Sequence, residues 1–265
     1  MKLNTFFLRH PVFTVAEIDD FLGGSNTGTR NALLAYHRKT GKILPVRRGL
    51  YAVVPPGASP ETAPLDPYLL ASRMASDAVL SYHTALEVHG RAYSVYNRFT
   101  YLSGKPAQPV RFREYEFQCV LMPKSLRDKG KASFGVMEIE RQDLPVHITD
   151  LERTFVDALD RPDLCGGWEE VWRSLESIEY LKPDEVVKYT ALLGKSTTAA
   201  KVGYFLEQHR EAMAVTEKYL ARLRRLAPRQ PHYLDRSRRK GGMLVKEWNL
   251  IVPEAVMKRA WAEVS

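Results

Sequence analysis

The stretch FTVAEIDDFLGGSNTGTRNALLAYHRKTGKILPVRRGLYAVVPP, residues 13–56, decides how this chain is read. Thr14 and Glu17 have the spacing of a capping box, in which a threonine hydroxyl and a glutamate carboxylate satisfy the backbone donors left free at a helix start. Val15, Ile18, Phe21 and Leu22 come next at helical spacing, so a helix is expected to about Leu22. Gly23-Gly24 ends it, and Ser25 or Asn26 can cap a second amphipathic helix, expected from about Thr27 to Thr40 and stopped by Gly41. Two β-rich runs, 43–46 and 50–54, are separated by Arg47-Arg48-Gly49 and closed by Pro55-Pro56-Gly57. Helix, tight turn, helix and hairpin is the order of a winged helix-turn-helix, with 27–40 as recognition helix and the hairpin as wing.

Charge is segregated within this segment. Residues 1–57 carry eight basic side chains against three acidic ones, a net charge of +5, and Glu17, Asp19 and Asp20 all fall on the first helix of the pair. The second helix and the hairpin are purely basic, as a surface that neutralises phosphates and releases their counterions needs to be. If Thr29, Leu33, Tyr36 and His37 face the core, with Leu34 able to replace Tyr36, the helical step of about 100° puts Thr27, Asn31 and Arg38 on the opposite face. Arg30 and Lys39 flank that face. The candidate DNA-binding residues are therefore Asn26, Thr27, Arg30, Asn31, Arg38, Lys39 and Lys42, with Arg47 and Arg48 at the wing tip. Arginine can pair with guanine and asparagine with adenine through two hydrogen bonds each, whereas wing cations position the protein on phosphates.

A net charge of +8 and an isoelectric point near 9.4 favour an acidic partner, and nucleic acid is the commonest. At 265 residues the chain exceeds the usual single domain, so two or three are expected. Its 45% hydrophobic and 26% charged content suits a soluble globular protein. No apolar run approaches the roughly 20 residues that span a bilayer. The start MKLNTFFLRHP lacks the apolar core and cleavage site of a signal peptide, so a cytoplasmic location is expected, with no membrane association. Cys119 and Cys165 fit no metal or redox spacing and are expected as two reduced, buried thiols.

Residues 55–67, PPGASPETAPLDP, hold five prolines and few bulky apolar side chains. They divide an N-terminal DNA-binding domain, 1–57, from a larger C-terminal domain, 67–265, across a linker at 58–66. Asp66-Pro67 opens a helix to about Met74, with proline at its favoured first-turn position, and Ser81-Tyr82-His83-Thr84-Ala85-Leu86-Glu87 starts another that ends at Gly90. Strand-like runs at 99–102, 115–122 and 134–139 come after it. Thr149 and Glu152 repeat the capping-box spacing ahead of Leu151, Phe155, Val156 and Leu159, which share a helical face. The region 67–160 reads as mixed α and β, and 161–227 as mainly helical, with breaks at Pro183 and Gly194. A basic segment, one strand over 243–252 and a short helix complete 228–265. The fold class is α+β: a winged helix-turn-helix followed by a mixed α/β domain with a helical-bundle portion.

Several chemical-looking signals have plainer readings. Gly194-Lys195-Ser196-Thr197 resembles the end of a phosphate-binding loop, but Tyr189 stands where the loop needs glycine, and helix leads in where a strand is required. His83, Glu87, His89 and His147 have no metal-ligand or nucleophile spacing, and are read as hydrogen-bonded structural residues. Asp150, Glu152 and Asp157 suggest paired carboxylates, yet the dipole at a helix start favours the same charges. No catalytic residue, metal site or cofactor is expected. From Lys218 to Lys246 the chain holds ten basic residues against Asp235 alone. Arg222, Arg225, Arg229, Arg236, Arg238, Arg239 and Lys240 are thus candidates for a second nucleic-acid surface, with a solvated face as the alternative.

An ordered set of segments resembles the AbiEi family of abortive-infection antitoxins. The set comprises the N-terminal winged helix ending in Val46-Arg47-Arg48-Gly49-Leu50-Tyr51-Ala52, Asp66-Pro67-Tyr68, Ser81-Tyr82-His83-Thr84-Ala85-Leu86, and Thr149-Asp150-Leu151-Glu152-Arg153-Thr154-Phe155-Val156-Asp157-Ala158-Leu159. The resemblance implies a bacterial two-gene operon whose promoter DNA, with inverted repeats, is repressed through the winged helix. It also implies that the C-terminal domain counteracts a nucleotidyltransferase-like toxin without a stable complex, the type IV arrangement. Two departures are a short first helix before Pro11 and His37 in place of a plain apolar residue. Two other readings stay open: a stand-alone regulator whose C-terminal domain senses a ligand or dimerises, and an enzyme that modifies toxin or nucleic acid. For the enzyme the sequence offers no nucleophile, metal set or phosphate loop.

Overall fold

The computed structural model describes residues 2–24, 27–235, 241–259 and 261, and it is a mixed α+β protein. In chain order its first elements are α1 (Lys2–Arg9), β1 (Val12–Thr14), α2 (Val15–Phe21), α3 (Thr27–Lys39), β2 (Ile43–Arg47) and β3 (Leu50–Val53). Then come α4 (Pro67–Ser72), β4 (Val79–Leu80), α5 (His83–Val88), β5 (Arg98–Ser103), β6 (Val110–Phe112) and β7 (Tyr115–Leu121). They are followed by α6 (Lys124–Asp128), β8 (Val136–Arg141), β9 (Leu144–Thr149), α7 (Leu151–Asp160), α8 (Trp168–Glu176), α9 (Pro183–Leu193), α10 (Ser196–Gln208) and α11 (Glu217–Leu226). The last are β10 (His232–Tyr233), β11 (Gly242–Val245), β12 (Leu250–Pro253) and α12 (Glu254–Met257).

The described residues fall into two compact units. The first takes residues 1–80, 97–120 and 138–148, and the second takes 81–96, 121–137 and 149–265. The first contains a three-stranded sheet of order β1-β3-β2 and nearly all of a six-stranded sheet of order β6-β7-β5-β4-β9-β8. In the small sheet β3 is central, antiparallel to both neighbours, with Val12 opposite Ala52 and Ile43 opposite Val53. In the large sheet β4 pairs antiparallel with β5 and parallel with β9, where Leu80 faces Ile148. The second unit is helical, α7 to α11, with a small sheet of order β10-β12-β11.

Local signals in the sequence set several of these boundaries. Asp66 caps α4 by accepting from the Tyr68 and Leu69 amides at 2.9 and 3.2 Å, and Pro67 opens the helix. Pro183 starts α9, and Gly194, with φ of +70°, ends it. Strands β1, β4, β6, β9 and β10 were not anticipated. All but β9 are three residues or fewer and are defined by their partners, and β9 spans 144–149, where the sequence suggested a helix cap at its end.

That cap is a correction. Thr149 closes β9 with its hydroxyl 2.7 Å from that of Thr154, and Asp150 caps α7, accepting from the Arg153 amide at 2.8 Å. Asp157 is no first-turn residue either. It lies two turns into α7, buried, and accepts from the Tyr189 hydroxyl at 2.6 Å and from Arg153 Nε at 3.4 Å. Burial pushes its carboxyl up to about 6 despite the arginine. Arg153 has no exposed surface and also donates to the carbonyls of Ala132 and Phe134 at 3.2 and 2.7 Å. Glu152, also buried, accepts from the Lys182 amide at 3.0 Å. The carboxylates of the 149–159 segment therefore hold the second unit together and form no open acid–base pair.

The single strand expected over 243–252 is also corrected: it is two antiparallel strands, β11 and β12, separated by a 3-10 turn at Lys246–Trp248. Asn249, at φ +47°, takes the left-handed conformation that asparagine tolerates, and the turn buries Trp248. The Trp248 indole fills the space that any side chain at Gly203 would need, so glycine at that point of α10 makes the packing possible. Cys165 is buried as expected, whereas Cys119 is only half-buried on β7, beside the Lys105 carbonyl at 3.5 Å.

Candidate nucleic-acid interface

Both halves of the capping box form at the start of α2. Thr14 Oγ1 accepts from the Glu17 amide at 3.3 Å, and Glu17 Oε2 accepts from the Thr14 amide at 2.6 Å. Ile18 on α2, Leu34 on α3 and Ile43 on β2 pack with Phe6, Phe7 and Phe13 into a core that fixes the angle between the helices and the hairpin. α1 supplies Phe6 and Phe7, so the short N-terminal helix has a packing role.

Helix α3 presents a face close to the expected one, shifted by a residue. Leu34 and His37 are buried and Leu33 is half-buried. Thr29 and Tyr36, expected in the core, are exposed; Tyr36 is 59% exposed, so Leu34 takes its place. The Tyr36 ring meets the edge of His37, 5.2 Å away. His37 itself fills an apolar position as a neutral imidazole: Phe7 packs edge-on at 5.1 Å, its Nδ1 has no hydrogen-bond partner among the described residues, and burial, followed by the charge of Lys42, holds its pKa below the usual value.

Thr27, Asn31, Arg38, Lys39, Lys42, Arg47 and Arg48 are exposed, while Asn26 lies outside the described residues. Arg38 and Lys39 end α3, where cations also suit the negative end of the helix dipole. Arg30 is not free. Its Nη1 is 2.5 Å from Asp19 Oδ2 on α2, and its Nε and Nη2 donate to Asn31 Oδ1 at 3.3 and 3.2 Å, so the two base-reading candidates are joined to each other and to the first helix. The two arginines of the hairpin differ. Arg47 donates to the Met74 carbonyl, whereas Arg48 extends from the hairpin tip beside Gly49, whose φ of +79° the turn requires. The residue of this surface that sequence reasoning missed is Tyr36, and the signal for it was Leu34, which completes the apolar stripe with His37.

The second basic set is dispersed by comparison. Arg222 is held by Asp184 at 2.8 Å, Arg225 and Arg229 are exposed, and Arg236, Arg238, Arg239 and Lys240 lie outside the described residues. Among the described residues no group of three or more His, Cys, Asp or Glu is arranged to hold a metal ion, and no helix is long and apolar enough to cross a membrane. His83 is buried with Nε2 3.1 Å from Glu170, which also accepts from the Ser94 amide and hydroxyl at 2.8 and 2.7 Å.

Comparison with proteins of curated function finds no match. The crystal structure of the RV2827C protein from Mycobacterium tuberculosis superposes with a TM-score of 0.63 over 100% of this chain and 94% of that one; at 17% identity the likeness is one of fold. The segment that builds the capped helix pair and the basic hairpin, residues 1–54, matches the model of the family described as transcriptional regulator, AbiEi antitoxin.

Proposed function

We propose that this protein is the antitoxin of a bacterial AbiE-like type IV toxin–antitoxin system and the repressor of its own operon. In this reading residues 1–57 act in the cytoplasm as a winged helix-turn-helix on promoter DNA with inverted repeats. The C-terminal domain, 67–265, counteracts a nucleotidyltransferase-like toxin without forming a stable complex with it. The observation that carries the proposal is that the 54 residues matching the antitoxin family are those whose second helix and hairpin expose Arg38, Lys39, Lys42 and Arg48. Such a strip of cations on a helix end and an adjoining loop suits a phosphate backbone, with Asn31 and, once released from Asp19, Arg30 in the first half of the same helix to reach base edges. No enzymatic step is part of the reading.

The test has two arms on the full-length protein. Fluorescence anisotropy with the DNA upstream of its own gene should show tighter binding than to a scrambled duplex, and co-expression with the neighbouring gene product should relieve growth arrest. Equal affinity for operator and scrambled DNA would overturn the repressor role. Absence of a toxic neighbour, or no rescue, would overturn the antitoxin role.

A further inference from the structure

A cleft of about 1030 Å³ opens among residues 160–169, 194–201 and 232–235, with Trp261 at its border, and lies wholly within the second unit. Its volume lies just above the upper end of the range for sites that enclose small organic ligands, roughly 300–1,000 Å³. Most charges on its walls are paired. Lys195 Nζ is 2.6 Å from Asp160 Oδ2, Arg161 is 2.9 Å from Asp163, and Glu169 is 3.2 Å from Arg173.

Lys201 is the exception. Its ammonium sits 5.1 Å from the centre of the Trp168 ring and has no hydrogen-bond or ion-pair partner among the described residues. Burial lowers its pKa, against the charges of Asp160, Asp235 and Asp163, which raise it. A partly dehydrated cation without a direct ion-pair partner costs folding free energy, and an anion bound in contact with it would offset that cost. Beside it, Ser196, Thr197 and Thr198 open the 13-residue helix α10, whose N-cap residue makes no side-chain cap hydrogen bond; the Thr198 hydroxyl donates to Asp160, which leaves Ser196, Thr197 and the first-turn amides for a ligand. Trp168, Tyr233 and Trp261 add aromatic surface to the same walls.

We propose that this cleft binds a nucleoside monophosphate unit, free or at the end of an RNA strand. The phosphate lies between Lys201 and the first turn of α10, and the base lies against the aromatic wall. The walls carry four carboxylates, Asp160, Asp163, Glu169 and Asp235, against three cations, Arg161, Lys195 and Lys201, and this net charge of −1 disfavours additional negative charge and selects one phosphate over three. The Gly194-Lys195-Ser196-Thr197 run thus contributes without a phosphate-binding loop, consistent with Tyr189 in place of the required glycine. This site is independent of the DNA-binding reading.

The experiment is calorimetric titration of the full-length protein with AMP, CMP, GMP and UMP, the matching nucleosides, ATP, inorganic phosphate and a 5′-phosphorylated tetraribonucleotide. At least one monophosphate, or the tetranucleotide, is expected to bind at or below about 1 mM, with nucleoside, phosphate and ATP each roughly tenfold weaker. Which of the two binds separates a free nucleotide from a strand end. Lys201→Met should lose roughly tenfold in affinity or more while the thermal midpoint holds or rises, because an unpaired ammonium over Trp168 becomes an apolar chain of similar length. A purely structural lysine would lower the midpoint and leave affinity unchanged. Lys195→Met, at an exposed position, is the second variant and should weaken binding severalfold. No saturable binding at about 10 mM, equal binding of inorganic phosphate and monophosphate, or wild-type affinity in both variants would overturn the site.

Discussion

Glu17 uses its two carboxylate oxygens for different tasks: Oε2 accepts from the Thr14 amide at 2.6 Å and closes the cap of α2, while Oε1 accepts from Arg73 Nε, just beyond α4, at 3.0 Å. Arg73 in turn donates to the Pro145 carbonyl at 3.1 Å, linking the capped helix α2 to the large sheet of the same unit.

Replacement of Glu17 with Ala should therefore cost about 0.5–2 kcal/mol through the cap, with at most about 1 kcal/mol more from the partly exposed pair with Arg73. Glu17→Gln keeps an acceptor for the Thr14 amide and should cost less. Urea unfolding read by circular dichroism measures both, and an unchanged midpoint for Glu17→Ala would show that the box adds no net stability.

On DNA, Arg38, Lys39, Lys42 and Arg48 changed singly to Ala should each flatten the plot of log affinity against log salt, by about one unit for each phosphate that is no longer neutralised. Arg47→Ala should change the slope less, because its guanidinium already serves the Met74 carbonyl. Asp19→Ala releases Arg30 from its 2.5 Å ion pair and should alter sequence preference more than overall affinity. Slopes identical to wild type across the four cation variants would mean that this face points away from the duplex.

His37 gives the first unit an acid limit. Its folded pKa lies below the ordinary 6.5, so the unfolded chain binds the proton more readily. The associated stability is full above pH 6.5 and falls as the pH drops below that value toward the folded pKa. His37→Leu should remove this part of the pH dependence. Parallel unfolding curves at pH 5 and pH 7.5 would reveal it, and identical slopes with pH in the two proteins would argue that protonation is accommodated.

In the second unit, Arg153→Met leaves Asp157 buried without its cation and should destabilise by about 3–5 kcal/mol at neutral pH. The loss should shrink near pH 5, since Asp157 is already pushed up to about 6 and is more readily protonated once the arginine is gone. A loss as large at pH 5 as at pH 7.5 would assign the cost to the carbonyl bonds of Arg153 instead.

The C-terminal basic run offers a test of whether repression and antitoxicity are separable. Arg236, Arg238, Arg239 and Lys240 changed together to Ser, with promoter affinity and toxin rescue measured on one preparation, should weaken one of the two. Lost rescue with intact repression would assign antitoxicity to nucleic acid bound by this run, and two intact activities would mark the run as a solvated surface.

The features legible in the sequence alone were carried by neighbours in the chain. The Thr14–Glu17 box, the Asp66-Pro67 start, the breaks at Pro183 and Gly194 and the basic second helix each depend on backbone chemistry within four residues, so spacing suffices to see them. Tertiary structure alone decided the rest. Asp150 displaced Thr149 as cap because Thr149 is consumed by β9, and Arg30 lost its freedom because α2 brings Asp19 beside it. Leu34 and not Tyr36 entered the core because α1 places Phe6 and Phe7 against that face. The cleft around Lys201 draws its walls from segments as far apart as Asp160, Lys195 and Tyr233, and long-range packing of that kind leaves no periodic mark in the chain.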